Sequence, residues 1–433
     1  MAGVRATIAR LKELRRRFSA KLSAATHDIP SSAGAKRLRE VTAFGTNPGA
    51  LRMFTYVPQR MPANPALVIA LHGCTQTAEG YNQGSGWSDL ADRAGFVVVF
   101  PQQQPANNLK NCFSWFQPGD VKRDQGEAHS IRQMIERAAV EFNVDRSRVF
   151  ISGLSAGGAM ASAMLAAYPE VFAAGAIIAG LPYGCASSVE QAFQVMFDPS
   201  SMPSRALGDR VRTASGHGGP WPTISVWHGT ADTIVRPANA ENIIRQWTDV
   251  HGLAAQPSHS ETSTACTHRA WKSANGVTLV EAFSIPGMAH GLPVTRTGTE
   301  ACGTVGPFFL EAGISSTHRI ACSWGLVDTV KHSREGVSAA APAARTRSQA
   351  LTIDMNADGT VATFDAQADA QETAQPQHLS EFDPSVVIAS AFRAAGLPGP
   401  EFTDLPQGKP KVDPGPIIQA ALKAAGLLSD RRP

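Results

Sequence analysis

The feature that most constrains the fold is a series of short, continuous apolar runs that alternate with helical patterns. Six such runs lie at 66–71, 96–100, 149–152, 175–181, 223–227 and 277–285. Runs of this length without polar alternation are typical of parallel strands that are covered on both faces. Helical patterns at 126–142, 156–167 and 239–250 lie between them, and two edge strands are predicted within 39–60. The alternation predicts an α/β fold with a mostly parallel sheet and helices on both faces.

The chain of 433 residues divides into four predicted parts. These are a basic amphipathic helix at 1–38, one α/β domain at 39–335, a flexible linker at 336–350 and a C-terminal appendage at 351–433. The appendage contains a hairpin and two related short helices, at 382–397 and 412–427. We expect these helices to dock on a partner, on a granule or on the main domain. The N-terminal helix packs on its own protein or anchors it to a surface.

Charge and hydropathy exclude some classes of partner. The net charge of +3 is too small for this length to indicate nucleic acid as a partner. No apolar run approaches the roughly 20 residues that a transmembrane helix needs, so no membrane span is predicted. The N-terminus has arginines but no apolar signal-peptide core, which favours a cytoplasmic location.

Six cysteines are too few for a disulfide scaffold in a chain of this length. They are Cys74, Cys112, Cys185, Cys266, Cys302 and Cys322. No pair has metal-ligand spacing such as Cys-x-x-Cys. The even number permits bridges, but without a signal peptide the expectation is buried free thiols.

A glycine-flanked serine follows the apolar run at 149–152. Gly153-Leu154-Ser155-Ala156-Gly157 is a G-x-S-x-G pattern, with a predicted strand before it and a small-residue helix after it. In this context a sharp strand-to-helix turn exposes the serine hydroxyl at the positive end of the helix. Ser155 is therefore predicted to be a catalytic nucleophile.

A serine nucleophile needs a histidine base that is oriented by a carboxylate, and in this fold the acid precedes the histidine in the chain. Asp232 follows the apolar run at 223–227, and His290 follows the run at 277–285. Asp198 and Asp249 are the competing acids, although each fits a solvated or capping role. His228 is the main competing histidine, but it precedes Asp232 and is expected to shape the acid loop.

The tetrahedral intermediate of ester hydrolysis needs hydrogen-bond donors for its oxyanion. One is predicted to be the backbone N–H of Ala156, directly after the nucleophile. The other is predicted in the loop "LHGCTQT" after the third strand, where we assign the N–H of Cys74, with Gly73 allowing the turn.

Two aromatic residues and one acidic loop have alternative interpretations. Trp87 and Trp115 either line a substrate groove or are ordinary core or surface aromatics. Asp354, Asn356, Asp358 and Asp365 occupy ligand positions of a calcium loop, but the flanks alternate like strands, and a hairpin explains the same residues. No other metal site and no cofactor are expected.

Several segments together resemble the polyhydroxybutyrate depolymerase family of esterases, which is related to feruloyl and acetylxylan esterases. They are "LHGCTQTAEGYNQGSGW", "ADRAGFVVVFPQQ", "GEAHSIRQMIE", "VFISGLSAGGAMA" and "AGAIIAGLPYG", and the resemblance covers roughly residues 40–330. It implies an α/β-hydrolase fold and carboxyl-ester hydrolysis through an acyl-enzyme, without a metal or organic cofactor. It also implies Ser155, Asp232 and His290 as the triad, with oxyanion amides from Cys74 and Ala156.

The expected function is hydrolysis of poly(3-hydroxyalkanoate) polymer, its oligomers or similar short esters. The alternatives are a feruloyl or acetylxylan esterase and, in another class, a non-catalytic polymer-granule-binding protein. Many members of the family that this chain resembles are exported, so an extracellular location is the alternative to the cytoplasm. A bridge such as Cys74 to Cys112 would fit an exported member.

Overall fold

A computed structural model of the protein describes residues 37–328. The predicted N-terminal helix up to residue 36, the linker at 336–350 and the appendage at 351–433 lie outside the described residues. The calcium-loop candidates Asp354, Asn356, Asp358 and Asp365 lie outside them as well.

Residues 37–328 contain twelve strands and nine α-helices. The strands are β1 Arg39–Val41, β2 Arg52–Tyr56, β3 Leu67–Leu71, β4 Val97–Gln102, β5 Val149–Leu154, β6 Ala174–Ile178, β7 Thr223–Gly229, β8 His259–Thr262, β9 Thr267–Lys272, β10 Thr278–Ile285, β11 Leu292–Val294 and β12 Phe309–Glu311. The helices are α1 Ala78–Ser85, α2 Trp87–Ala94, α3 Pro118–Val121, α4 Gly126–Glu141, α5 Ala156–Ala167, α6 Val189–Phe197, α7 Ser204–Ser215, α8 Ala238–Val250 and α9 Ser316–Ser323.

Ten of the strands within residues 37–328 form one sheet, in the order β1-β2-β4-β3-β5-β6-β7-β10-β9-β8. The six strands from β4 to β10 in this order pair in parallel, and the pairs at both edges are antiparallel. Each predicted apolar run forms one of the six parallel strands, which confirms the prediction. With helices on both faces, this is the α/β-hydrolase fold.

The two faces of the sheet bury separate hydrophobic cores. Along β3, Leu67, Ile69 and Leu71 belong to one core, and Val68 and Ala70 belong to the other. Helices α4, α5 and α8 contribute to the first core, and α1, α2 and α9 to the second. Because alternate side chains enter different cores, every position of the strand must be apolar, which explains the unbroken runs.

The structure decides between the two interpretations of Trp87 and corrects one expectation about the cysteines. Trp87 does not line a groove: its side chain is fully buried and stacks on Trp324, with ring centroids 5.7 Å apart. Cys74 and Cys112 are not free thiols, because they form a disulfide. The loop after β4 brings their Cα atoms within 4.3 Å, a proximity that a separation of 38 residues in the sequence does not reveal. The other four cysteines are free.

Within residues 37–328, no helix is both long and apolar enough to cross a membrane. The same part of the chain has no cluster of three or more histidine, cysteine, aspartate or glutamate side chains that could hold a metal ion.

Candidate active site

Ser155 lies at a sharp turn between β5 and α5. Its backbone has φ 57° and ψ −118°, a strained conformation for a residue with a side chain. The flanking glycines are required by close packing: a Cβ on Gly153 would collide with the carbonyl oxygen of Gly157. A Cβ on Gly157 would collide with the carbonyl oxygens of Leu71 and His72, at the end of β3. The glycines thus let the serine turn rest directly on the neighbouring parallel strand.

The side chains of Ser155, His290 and Asp232 form a continuous hydrogen-bonded chain. Ser155 Oγ lies 2.9 Å from His290 Nε2, and His290 Nδ1 lies 2.7 Å from Asp232 Oδ2. Because the carboxylate oxygen is an acceptor, Nδ1 carries the proton of the neutral imidazole. Nε2 is therefore free to accept the proton of the serine hydroxyl.

The loops after β7 and β10 bring the acid and the histidine together. The backbone N–H of Thr230 donates to the carbonyl of Ile285 (3.0 Å), and the N–H of Ala231 donates to that of Met288 (3.0 Å). A Cβ on Gly229 would collide with the carbonyl of Met288, so this close approach also requires glycine. Parallel strands end at the same edge of the sheet, which places both loops beside the serine turn.

The carboxylate of Asp232 is almost fully buried and accepts four hydrogen bonds. Oδ1 accepts from the backbone N–H groups of Ile234 and Val235, both at 2.9 Å. Oδ2 accepts from His290 and, at 3.2 Å, from Nε2 of His228. Burial alone would raise the pKa of this carboxyl, but the hydrogen bonds from His228 and His290 hold it well below its usual range. Asp232 therefore stays ionised beside His290.

The competing residues lie elsewhere. Asp198 is exposed at the end of α6, and Asp249, in α8, forms an ion pair with Arg212 at 2.5 Å. His228 contacts the acid rather than the serine: its Nε2 lies 2.8 Å from the carbonyl oxygen of Val235 as well as 3.2 Å from Asp232. It thereby links the two ends of the acid loop.

The two predicted oxyanion amides belong to residues at or near the serine turn: Ala156 directly follows Ser155, and Gly73, the residue before Cys74, lies so close to the turn that a Cβ on it would be 3.5 Å from the carbonyl oxygen of Leu154. The backbone N–H groups of Cys74 and Ala156 have no hydrogen-bond partner among the described residues, so both are available as donors. The loop of Cys74 is fixed by its neighbours. The N–H of Gly73 donates to Gln76 Oε1 (2.8 Å), and the N–H of Thr75 donates to the carbonyl of Lys110 (2.5 Å).

Sequence reasoning missed His72, the residue before Gly73. The backbone N–H of Gln103 donates to its Nε2 (3.1 Å), so its Nδ1 carries the proton and donates to the carbonyl of Gly73 (2.7 Å). Burial lowers the pKa of His72 to about 4, which keeps the imidazole neutral. Its position directly before the oxyanion loop is the signal that could have drawn attention to it.

Trp115 is half-buried near the serine turn. It packs against a small apolar cluster that contains Ala159, Leu181 and Val235. Ala159 is one helical turn after Ser155, and Val235 follows the acid. This position is compatible with the groove role considered for Trp115, whereas the position of Trp87 is not.

The chain is similar to known esterases in sequence and in fold. Residues 53–266 match the family model described as Esterase PHB depolymerase. The chain is 48% identical over 299 residues to poly(3-hydroxyalkanoate) depolymerase C of Paucimonas lemoignei, which covers 69% of this chain and 72% of that protein. It is 37% identical over 277 residues to an acetylxylan esterase of Coprinopsis cinerea (61% of this chain, 71% of that protein). Among solved structures, acetyl xylan esterase from Aspergillus awamori superposes with a TM-score of 0.54 at 27% identity, over 58% of this chain and 93% of that one.

Proposed function

From the premise that this chain belongs to the PHB depolymerase family of esterases, we propose that its ester substrates are poly(3-hydroxyalkanoate) polymer and oligomers. The chain is a serine ester hydrolase, and its relatives are named as a depolymerase and an acetylxylan esterase. The observation that carries the proposal is the hydrogen-bonded chain from Ser155 to Asp232, in a protein 48% identical to a poly(3-hydroxyalkanoate) depolymerase.

In the proposed mechanism, Ser155 Oγ attacks the ester carbonyl while Nε2 of His290 takes its proton. The backbone N–H groups of Ala156 and Cys74 stabilise the negative oxygen of the tetrahedral intermediate. The imidazolium of His290, stabilised by Asp232, gives its proton to the leaving alcohol, and an acyl-enzyme on Ser155 remains. A water molecule, activated by the same imidazole, then releases the acid.

Apolar side chains beside the site support a polyester as the substrate. Ile234, two residues after the acid, is 38% exposed, and Leu109, in the loop that pairs with Thr75, is 58% exposed. The ring of Phe308 lies 6.0 Å from that of His290. Apolar side chains beside a site favour a substrate that has apolar surface of its own. A polyester offers such a surface, whereas an esterified polysaccharide is mainly polar.

The alternative substrate class is feruloyl or acetylxylan esters. It is supported by the 37% identity to an acetylxylan esterase and by the 35% identity to feruloyl esterase B of Thermothelomyces thermophilus. The chemistry would be the same, so only the substrate preference distinguishes the two classes.

A substrate panel tests the proposal. We would measure kcat/KM of the purified protein on 3-hydroxybutyrate oligomers, amorphous poly(3-hydroxybutyrate), methyl ferulate, acetylated xylan and p-nitrophenyl butyrate. Oligomers and polymer should be the preferred natural esters. Ser155→Ala should lose at least about 10³-fold on every ester, while the exposed control Ser323→Ala should not.

Three results would count against it. Preference for methyl ferulate or acetylated xylan would replace the substrate class while keeping the chemistry. Full activity of Ser155→Ala would reject the assigned nucleophile, and polymer binding without hydrolysis by the wild-type protein would favour the granule-binding alternative.

A further inference from the structure

Glu127 is a buried carboxyl group that the proposed mechanism does not use. It lies in the first turn of α4, and only 1% of its surface is exposed. Its Oε1 accepts a hydrogen bond from Gln103 Nε2 (2.5 Å), and its Oε2 accepts one from the backbone N–H of Ser114 (2.8 Å). Burial, and secondarily the charge of Asp120, raise the pKa of Glu127 to about 8. Burying a carboxyl group costs free energy, so the burial of Glu127 needs a structural or functional explanation.

Gln103 connects Glu127 to the loops beside the nucleophile. Its Nε2 also donates to the carbonyl oxygen of Cys112 (3.2 Å). Its Oε1 accepts from the backbone N–H of Gln104 (2.9 Å) and from Asn107 Nδ2 (2.7 Å). These four contacts fix the orientation of the amide, because a flipped amide would set donor against donor and acceptor against acceptor. The side chain of Gln103 is therefore held in one position.

The segment from Cys112 to Ser114 is the part of the chain that this pair holds. Gln103 holds the carbonyl of Cys112, and Glu127 holds the N–H of Ser114. The disulfide joins Cys112 to Cys74. A displacement of the segment would therefore pull on the residue whose N–H is the second oxyanion donor.

We propose that Gln103 and Glu127 are positioning residues for the oxyanion hole. They fix the segment 112–114, and the disulfide transmits that position to Cys74, whose N–H must point at the developing oxyanion. The inference rests on the proposed function, in which Cys74 supplies an oxyanion amide. A misplacement of about 1 Å in a catalytic group can lower the rate about 10²-fold, so this support has a kinetic consequence.

Glu127→Gln tests the pair with an almost isosteric change. A protonated Glu127 keeps a lone pair on each oxygen and so can still accept from both of its N–H donors, whereas glutamine has one acceptor oxygen and an amide nitrogen that can only donate. If its oxygen faces the N–H of Ser114, its NH₂ opposes the NH₂ of Gln103. Gln103 cannot flip to relieve this without losing its bonds to Cys112, Gln104 and Asn107. The substitution must therefore break the support at one point.

The expected result on p-nitrophenyl butyrate is a fall in kcat of about ten- to a hundredfold, with KM changed by less than about twofold. A trifluoromethyl ketone, which forms a tetrahedral adduct with a serine, should lose affinity by the same factor. The matched control is Glu136→Gln, on the outer part of the same helix, where Glu136 pairs with Arg146 at 2.8 Å. That variant should keep the wild-type kcat, and the melting temperatures of both variants show what is lost through stability alone.

Cys112→Ser provides a second test, because it removes the disulfide and leaves Gln103 and Glu127 in place. It should show the same fall in kcat, and it decides the matter if Glu127→Gln does not fold. The inference is overturned if Glu127→Gln has the kcat of Glu136→Gln, or if Cys112→Ser has the kcat of the wild type. Either outcome with an inactive Ser155→Ala leaves the proposed function standing, whereas an active Ser155→Ala rejects the proposed function itself.

Discussion

Replacing Asp232 by asparagine should strongly lower kcat without leaving a cavity at the site. The carboxylate accepts two backbone N–H groups on Oδ1, from Ile234 and Val235, and two imidazoles on Oδ2, from His228 and His290. Asparagine is nearly isosteric but has only one acceptor oxygen. The two donors on one side of residue 232 must therefore face the NH₂ of asparagine instead of an acceptor oxygen.

The preferred orientation of the new amide sets the magnitude. With its oxygen toward His290, the NH₂ would face two buried backbone donors, at about 1–3 kcal/mol for each unsatisfied group. The amide therefore turns its NH₂ toward His290, whose Nδ1 must then accept. The proton moves to Nε2, where it blocks acceptance of the proton of Ser155. A penalty of about 2–6 kcal/mol leaves the productive orientation in a fraction of about 3 × 10⁻² to 4 × 10⁻⁵, and the corresponding change in a related triad costs about 10⁴ in kcat.

The assay is kcat on p-nitrophenyl butyrate near neutral pH, with the melting temperature measured on the same preparations. Asp249→Asn is the matched control, because it makes the same change at a competing acid that pairs with Arg212 instead. A loss smaller than about tenfold in a folded Asp232→Asn protein would refute the tautomer argument. A large loss in Asp249→Asn or Asp198→Asn would show that the acid is misassigned.

Three further predictions concern His228, Glu127 and residues 336–433. His228→Phe removes one of the four hydrogen bonds to Asp232 and should lower kcat/KM about tenfold, while His228→Gln, which can donate from a similar position, should restore most of it. Because folding raises the pKa of Glu127 from its ordinary value of 4.5 to about 8, the folded state holds the proton more tightly, and the free energy of unfolding should fall as pH rises through this range. The pKa of His72 is lowered to about 4, so this group raises the free energy of unfolding as pH rises to 6.5 and opposes the effect of Glu127 there. Urea titrations should therefore show the free energy of unfolding fall between pH 6.5 and 8, by up to about 2 kcal/mol. Glu127→Gln should abolish this fall. Removal of residues 336–433 should leave kcat/KM on soluble esters unchanged, and reduced binding to polymer by the truncated protein would assign that contact to this C-terminal segment.

The sequence was most informative where a physical requirement acts on consecutive residues. Strands covered on both faces cannot tolerate polar side chains, so the runs at 66–71 and 149–152 predicted the inner strands β3 and β5. Gly153 and Gly157 were equally informative, because no side chain fits where the serine turn rests on β3. Acid and histidine followed from chain order, since loops after parallel strands meet at one edge of the sheet.

Prediction failed where the deciding contact lies far away in the chain. Strand β8 is exposed along its whole length, so it carries no apolar signal. The burial of Trp87 depends on Trp324, more than two hundred residues later. The bridge between Cys74 and Cys112 depends on how the loop after β4 folds over the end of β3.

The contacts of Glu127 near the oxyanion loop could not be predicted from the sequence for a further reason. Glu127 lies near the start of an amphipathic helix, a position where acidic residues are usually solvated and favoured by the helix dipole. Its burial is decided by Gln103 and Ser114, which lie in the loop between β4 and α3, and neither residue type signals a buried network. Buried polar groups must be hydrogen-bonded, and the hydrogen bonds of a buried glutamate also fix the positions of its partners. Here Gln103 holds Cys112, the residue bonded to Cys74, so the role that we propose for Glu127 depends on contacts that its own sequence segment does not reveal.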